Sequence, residues 1–448
     1  MSRIHFVTLG CPKNQVDSEV MLGVLDRAGH ALVYDPDAAD VLVVNTCAFI
    51  GPAKEESIDT ILDLARVKGE RSGRRLVVTG CLAQRYADEL RAELPEVDVF
   101  VGTGDLLRIA DAVAADAPRV LRAASHVLPA FVTAPRVRTG AWWSAYVKVS
   151  EGCDHTCSFC VIPKIRGRHE SRPMADVLVE AEALADGGAV EINLIAQDLT
   201  AYGRDLRDGT TLAQLLRALA IRVPAVRWLR LLYAYPASVT DALLEAMASE
   251  PAVCRYLDMP LQHVSDRMLL AMRRERSGAA IRRLVDRVRE AVPGITLRTT
   301  FIVGFPGETD ADVDELCAFV ETARFENVGV FRYSHEENTP AAALADDVPE
   351  DVKAARWERV MATQARVAAA HARAAVGSVI EVLVEGTDDG GRLVGRTSRQ
   401  APEIDGRVVL IGDAEPGEIV HARVTASETY DLHAEVLAGP VDSQRTSP

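Results

Sequence analysis

Short apolar runs at 4–8, 41–45, 76–79 and 97–101 alternate with longer stretches, 15–27 and 54–67, whose apolar positions recur three and four residues apart. The first set predicts strands and the second predicts helices. Strand followed by helix, repeated, predicts a parallel sheet, because parallel neighbours need a long crossover between them. Region 1–115 is therefore expected to be an α/β unit, a doubly wound parallel sheet. From 115 to 138 no period persists and Ala, Pro and Arg dominate, so an extended connection is expected there. A second alternating series follows, with strands predicted at 145–149, 191–196, 228–233, 255–259, 296–303 and 328–333. Helices are expected at 281–291 and at 310–322, the latter opening with Thr309 and Asp312 in capping-box spacing. An Ala- and Arg-rich run at 357–375 that stops at Gly377 predicts another. Region 139–376 thus predicts a central partial (β/α) barrel of about six strands. Beyond it, 380–384, 393–396, 408–411, 419–425 and 432–436 read as short strands with Gly-containing turns, so 377–440 is expected to form a small all-β barrel. The tail from Pro440 has no pattern and is expected to be disordered.

Composition narrows the class. With 48% apolar and 26% charged residues the chain is globular over most of its length. Its 50 Lys and Arg against 65 Asp and Glu leave a net charge of −15, which argues against holding nucleic acid by bulk charge and favours a basic partner. No apolar run is long enough to span a bilayer and the first residues lack a secretory pattern, so a cytoplasmic protein without membrane association is expected. Eight cysteines in 448 residues are too few for a disulfide scaffold, and in reducing cytosol they would pack, react or bind metal.

Their spacing separates them into groups. Cys153, Cys157 and Cys160 form a Cys-x3-Cys-x2-Cys set on one loop after the first predicted barrel strand. Three thiolates there suit either a zinc ion, with His155 as a fourth ligand, or an iron–sulfur cluster with one iron left open. Cys11, Cys47 and Cys81 lie 36 and 34 residues apart, yet each follows a predicted strand end. The carboxyl ends of strands in a doubly wound sheet face one crevice, so these three are a second candidate metal site. Cys254 and Cys317 sit on apolar segments and are expected to pack. At the barrel's strand ends stand Gln197, Asp198, Tyr235, Gln262, His263 and the segment 304–308, where parallel barrels gather reactive groups. His263 is read as a local hydrogen-bonding residue.

The Cys153–Cys160 motif, with Phe159 before its last cysteine, resembles the cluster motif of radical S-adenosylmethionine (SAM) enzymes. That resemblance implies a 4Fe-4S cluster on Cys153, Cys157 and Cys160 whose open iron chelates SAM and whose electron releases a 5′-deoxyadenosyl radical. Gly187, Gly188 and Glu191 resemble the family's glycine–glycine–acid element for the cofactor's amino group. Gly304 and Gly307 resemble its later glycine motif near the adenine, and Arg298 is a candidate partner for the cofactor carboxylate. The segment 8–19, TLGCPKNQVDSE, together with Asn45-Thr-Cys47 and Gly80-Cys81, resembles the amino-terminal domain of methylthiotransferases, a likeness extending over 3–438. It implies an auxiliary 4Fe-4S cluster on Cys11, Cys47 and Cys81 that carries sulfur, a terminal TRAM domain that binds substrate, and two SAM molecules per turnover, one as radical source and one as methyl donor. No catalytic residue beyond the cluster ligands is implied; an electron donor and a sulfur source are.

Cys11-Pro-Lys-Asn-Gln, Tyr233-Ala-Tyr-Pro236 and the segment 395–403, GRTSRQAPE, resemble the RimO branch of that family. The implied substrate is the β-carbon of an aspartate in small-subunit ribosomal protein twelve, free or in its ribosomal subunit. The alternatives are an adenosine of transfer RNA and, without catalysis, a zinc-stabilised ribosome-binding scaffold. From 377 to 440 twelve acids stand against five arginines, a balance suited to a basic ribosomal protein rather than to RNA.

Overall fold

The computed structural model describes residues 1–114, 119–122, 134–274 and 277–437, so the tail from Pro440 and most of the connection between 115 and 138 lie outside the described residues. The amino-terminal strands are β1 (Arg3–Thr8), β2 (Ala31–Leu32), β3 (Val41–Thr46), β4 (Arg75–Gly80), β5 (Val99–Val101) and β6 (Val120–Leu121), all parallel in the order β2-β1-β3-β4-β5-β6. Every residue of β3 is buried, the pattern of a parallel strand covered on both faces. Two strands of this sheet were not foreseen, β2 and β6. Each is two residues long, too short to show a period, and β6 falls inside the stretch expected to be a plain connection. Helices α1 (Pro12–Arg27), α2 (Gly51–Gly69) and α3 (Cys81–Glu93) follow β1, β3 and β4, so all three strand-to-helix turns open at one edge of the sheet.

In the central region β7 (Ser144–Lys148) leads into a two-residue pair, β8 (Ser150–Glu151) with β9 (Glu170–Ser171), and then into β10 (Glu191–Ile195), β11 (Trp228–Leu231), β12 (Val253–Asp258), β13 (Thr296–Val303) and β14 (Asn327–Arg332). The six long strands form one parallel sheet, β14-β13-β12-β11-β10-β7, the open barrel expected. Helix Asp310–Ala323 starts with the Thr309–Asp312 capping box. The helix expected at 357–375 begins earlier, at Glu350: Pro349 precedes it and Glu350 and Asp351 complement the positive end of its dipole. Five strands, β15 (Val379–Thr387), β16 (Leu393–Arg396), β17 (Val408–Ile411), β18 (Ile419–Ser427) and β19 (Leu432–Val436), close into a small barrel.

The three units meet on the face of the central sheet turned away from its helices. Val16 and Val20 of α1, Tyr146, Ile195, Trp228 and Tyr256 of the sheet, and Leu383 and Ala401 of the terminal barrel share one buried cluster. Charge closes the same contact. Glu191 and Arg230 are fully buried and paired at 3.0 Å, and Arg396 reaches Glu191 from the terminal barrel at 2.5 Å. Tyr256 donates its hydroxyl hydrogen to Asp405 (2.7 Å), which also pairs with Arg298. No helix among the described residues is long and apolar enough to cross a membrane.

Candidate active site

Cys11 caps α1, with Pro12 at the first helical position; Cys47 follows β3 directly; Cys81 opens α3. Gly80, φ +96°, makes the last turn possible, since a Cβ there would lie 2.2 Å from Asn45 Oδ1. Ser57 fixes the second turn by accepting from the Cys47 N–H (3.0 Å) and donating to its carbonyl (2.9 Å). Asn14 ties the turns together: its amide donates to the carbonyls of Leu9 (3.0 Å) and Thr46 (2.9 Å), and its oxygen accepts from Arg166 (2.5 Å). A Cβ on Gly10 would stand 3.3 Å from Cys47 Sγ, so the first two cysteine turns touch. Burial pushes the Cys81 thiol up to about 12 and raises that of Cys47 as well. Such thiols keep their protons near neutrality unless a metal replaces them.

Asn14→Ala would strip Thr46 of a buried donor. We expect the variant to lose about 1–3 kcal/mol of stability. Urea unfolding measures this, and an unchanged midpoint and slope would refute the role given to Asn14.

The central cysteines lie on a loop just past β8. Gly152, φ +76°, lets this loop pass Arg168, whose carbonyl oxygen would be 2.0 Å from any Cβ at that position. Ser158 anchors the loop by donating from its N–H to the Met272 carbonyl (3.0 Å) and from its hydroxyl to that of Ala271 (2.8 Å). Arg274 donates to Cys157 Sγ (3.4 Å) and lies 4.3 Å from the Tyr235 ring centroid. His155 stacks on Tyr235 at 3.5 Å and hydrogen-bonds Asp198 through Nε2 (2.7 Å). One nitrogen of His155 is thus committed to Asp198 rather than free as a fourth metal ligand. Burial pushes the thiols of Cys153 and Cys160 up to about 11 and about 12.

A buried polar network runs from the amino-terminal thiols toward the loop of the central ones, ending at Glu151, two residues before Cys153. Arg166 donates to Cys81 Sγ (3.3 Å), Asn14, Asp17 (2.6 Å) and Glu151 (3.3 Å). Lys148 pairs with Asp17 and Glu151 at 2.5 Å each, and Gln197, past the end of β10, donates to Glu151. Each thiol set therefore carries one guanidinium on one sulfur. Among the described residues no three His, Cys, Asp or Glu side chains are grouped as a single metal ion would need; the fit is one of donor chemistry, soft sulfurs with a cation on one of them suiting a thiolate-bound group of net negative charge.

The other expected cofactor residues are scattered. Gly188 and Glu191 sit at the amino-terminal end of β10, where Glu191 lies level with Ser144 of β7, roughly 13 Å of strand rise below the end at which the cysteine loop emerges. Glu191 has both carboxylate oxygens taken by Arg230, Arg396 and Ser144, and Gly188 packs under Trp142. The expectation that Gly188 and Glu191 hold the cofactor's amino group is corrected on that ground: Glu191 is an interdomain ion-pair residue. Arg298, in the lower half of β13, is engaged by Asp258 (3.0 Å) and Asp405 (3.5 Å) instead of facing the cysteine loop. Gly304 does stand at the carboxyl end of β13, its N–H donating to Glu308 (2.7 Å). His263 is buried and accepts from two backbone N–H groups through Nδ1, the local role expected of it. Cys254 and Cys317 pack in or against apolar clusters, as expected.

Sequence reasoning passed over Lys13, Asn14, Asp17, Arg166 and Arg274. One signal was available: α1 buries Lys13, Asn14, Asp17, Ser18 and Glu19, and a helix with polar residues on its inner face must meet a polar interior.

Comparison with known proteins agrees with this arrangement. Residues 3–102 match the Uncharacterized protein family UPF0004, 147–320 the Radical SAM superfamily and 376–437 the TRAM domain. Over 452 residues, 100% of this chain and 96% of the relative, it is 52% identical to the ribosomal protein uS12 methylthiotransferase RimO of Anaeromyxobacter sp. (strain Fw109-5). The chain belongs to the RimO family of radical SAM methylthiotransferases. The RimO relative from Myxococcus xanthus (strain DK1622) is 51% identical, over 99% of this chain and 93% of its own. RimO membership implies a 4Fe-4S cluster and SAM, and the amino-terminal domain suggests a second cluster. Among solved structures, the radical SAM methyltransferase TsrM from Kitasatospora setae superposes with a TM-score of 0.55 at 16% identity, covering 73% of this chain and 72% of that one, a likeness of fold alone.

Proposed function

We propose that this chain, like the RimO relatives it matches, acts on ribosomal protein uS12 and places a methylthio group on the β-carbon of an aspartate. The observation that supports the reading is the pair of three-thiol sets, each with a guanidinium on one sulfur, and a buried network that runs from Cys81 through Arg166 to Glu151, two residues before Cys153. In this reading residues 1–115 hold an auxiliary 4Fe-4S cluster on Cys11, Cys47 and Cys81, residues 139–376 hold the radical SAM cluster on Cys153, Cys157 and Cys160, and residues 377–440 form the TRAM domain. Bound there with SAM, these groups supply the radical that takes a hydrogen atom from the substrate and the sulfur that replaces it, a second SAM molecule supplying the methyl group.

The chain's own residues set the stage. Asn14 and Ser57 hold three turns at one edge; Arg166 and Arg274 each place positive charge on a cysteine sulfur; Asp198 orients His155 against Tyr235. Of the expected cofactor residues Gly188, Glu191, Arg298 and Gly304, the last stands at the carboxyl end of its strand, with Lys353 packed over it. Electrons and sulfur come from outside the chain, and the ribosomal substrate places the enzyme in the cytoplasm.

Charge on the terminal barrel supports a basic protein partner. Glu385, Asp388, Asp405 and Asp431 are taken up by arginines, whereas Asp389, Asp413 and Glu415 are exposed and make no ion pair among the described residues. The test is anaerobic reaction of the reconstituted enzyme with uS12 and with transfer RNA. A gain of about 46 mass units on an aspartate peptide of uS12 is expected, the replacement of hydrogen by a methylthio group. Modified adenosine beside untouched uS12 would overturn the reading. Zinc without iron or sulfide in the active protein would do the same.

A further inference from the structure

Past β14 the chain crosses the seam between the amino-terminal and central domains as a strap, 333–343, that ends in a 3-10 turn, Pro340–Ala343. Its outer side grips the amino-terminal domain. Glu336, whose side chain is 2% exposed, pairs through one carboxylate oxygen with Lys54 of α2 (2.8 Å) and Arg85 of α3 (2.9 Å). Its other oxygen accepts from the Ser334 hydroxyl (2.8 Å), and Ser334 in turn accepts from the N–H of Gly51, the first residue of α2 (3.1 Å). Burial by itself would raise the Glu336 pKa; hydrogen bonds from Lys54, Ser334 and Arg85 outweigh it and hold the group below the usual carboxylate range. Glu336 is therefore an ionised, buried counter-charge shared by two helices of the other domain.

Those two helices are the ones that the cysteine turns lead into. Arg85 lies four residues past Cys81, and its guanidinium also donates to the carbonyl of Ala48, the residue after Cys47 (2.8 Å). Gly51 and Lys54 open the helix that follows Cys47. At its far end the strap meets the other thiol set. The Ala341 N–H donates to the carbonyl of Ser158, between Cys157 and Cys160 (2.8 Å), and Ala341 and Tyr333 pack in the apolar cluster on which Phe159 rests. One short segment thus holds backbone beside both cysteine sets, along a path separate from Arg166 and Glu151. Each turn keeps its own internal bonds, from Ser57 and Asn14 on one side and from Ser158 to Ala271 and Met272 on the other. What the strap adds is the distance between them.

We propose that Glu336 is a positioning residue for sulfur delivery: the strap it anchors sets the separation of the two thiol sets, and so of the groups they hold. This rests on the two-cluster reading above. In that reading radical formation needs the central set alone, whereas insertion of sulfur needs both sets at one spacing. A misplacement of about 1 Å commonly costs on the order of 100-fold in a reaction between two held groups. Loosening the strap therefore costs the second step and spares the first.

The experiment uses reconstituted full-length Glu336→Ala, Glu336→Gln and Lys54→Met, the last removing one cation from the other side of the seam. Melting temperatures show whether each is folded, and iron and sulfide analysis shows whether both clusters are loaded. With SAM, dithionite and uS12, Glu336→Ala is expected to form 5′-deoxyadenosine within about twofold of wild type while methylthiolated uS12 falls roughly 10- to 100-fold, so that the ratio of the two rises by that factor. Low-temperature electron paramagnetic resonance of the two reduced clusters is expected to show their spin–spin coupling altered as well, which a residue that only stabilises the fold would leave unchanged. Glu336→Gln, which keeps an oxygen for Lys54 and Arg85, should recover most of the product. Should Glu336→Ala fail to fold, Lys54→Met carries the test, with a smaller rise in the same ratio. Wild-type ratio and coupling in a folded, fully loaded Glu336→Ala or Lys54→Met would overturn the proposal, as would a parallel fall in 5′-deoxyadenosine, which would assign Glu336 to the radical site. Wild type holding about four iron atoms per chain in place of about eight would overturn the two-cluster reading itself, a result independent of any variant.

Discussion

Cys157→Ala is expected to abolish 5′-deoxyadenosine formation, while Cys47→Ala leaves it running and yields no methylthiolated product. The asymmetry follows from where the two cysteines stand. Cys157 shares one loop with Cys153 and Cys160, and that loop is held by Ser158 and Arg274 within the central domain alone. Cys47 ends a strand of the other sheet, and its turn is held by Ser57 and Asn14, which belong to the amino-terminal domain. Neither turn supports the other, so each can lose its thiol separately. Residues that merely orient a metal ligand are commonly worth 10- to 100-fold, so removal of a ligand is expected to cost more than about 100-fold in the step it serves. Chromatography of 5′-deoxyadenosine and mass spectrometry of uS12 read the two steps. Normal product from Cys47→Ala would refute the auxiliary site.

The second large effect is expected at Asp17. Its carboxylate is 1% exposed and lies between Lys148 (2.5 Å) and Arg166 (2.6 Å), two cations of the neighbouring domain that are themselves buried. Asp17→Ala leaves Glu151 as a buried carboxylate that both cations share. Breaking a buried ion network on one side commonly costs about 3–5 kcal/mol, more than most single substitutions. Urea unfolding is expected to show a loss of that size, and Lys148→Met added to Asp17→Ala should recover part of it by removing one stranded cation. A loss below about 1 kcal/mol would show that the network is not what holds α1 to the barrel.

Most long strands, and the placement of Cys11, Cys47 and Cys81 just after strand ends, were legible because they rest on short-range signals of period that survive without knowledge of the fold. What escaped was of two kinds. The edge strands β2 and β6 are two residues each and take their conformation from the neighbour they pair with. Glu191 was misjudged for a different reason. A glycine pair and an acid fit a cofactor motif locally, but here they precede β10 instead of following it, and only the register with β7 reveals which end of the barrel that is. The partner that claims Glu191, Arg396, is 205 residues away. No local pattern announces so distant a counter-charge. Asn14 and Asp17 were visible as polar residues on a helix, but their meaning depends on Arg166 and Lys148, contributed by the central domain.

The reach from Glu191 to Arg396 also sets an order of events during synthesis. At about 5–20 residues per second, the 205 residues between them take roughly 10–40 s to translate. For most of that interval, once Trp228, Arg230 and Tyr256 have been made, the nascent half-barrel has neither Arg396 to complete the ion pair nor Leu383 and Ala401 to cover Trp228 and Tyr256. The middle of the enzyme is thus finished by its last-made part, and a transcript cut short before the terminal barrel yields a chain whose radical domain lacks its own floor.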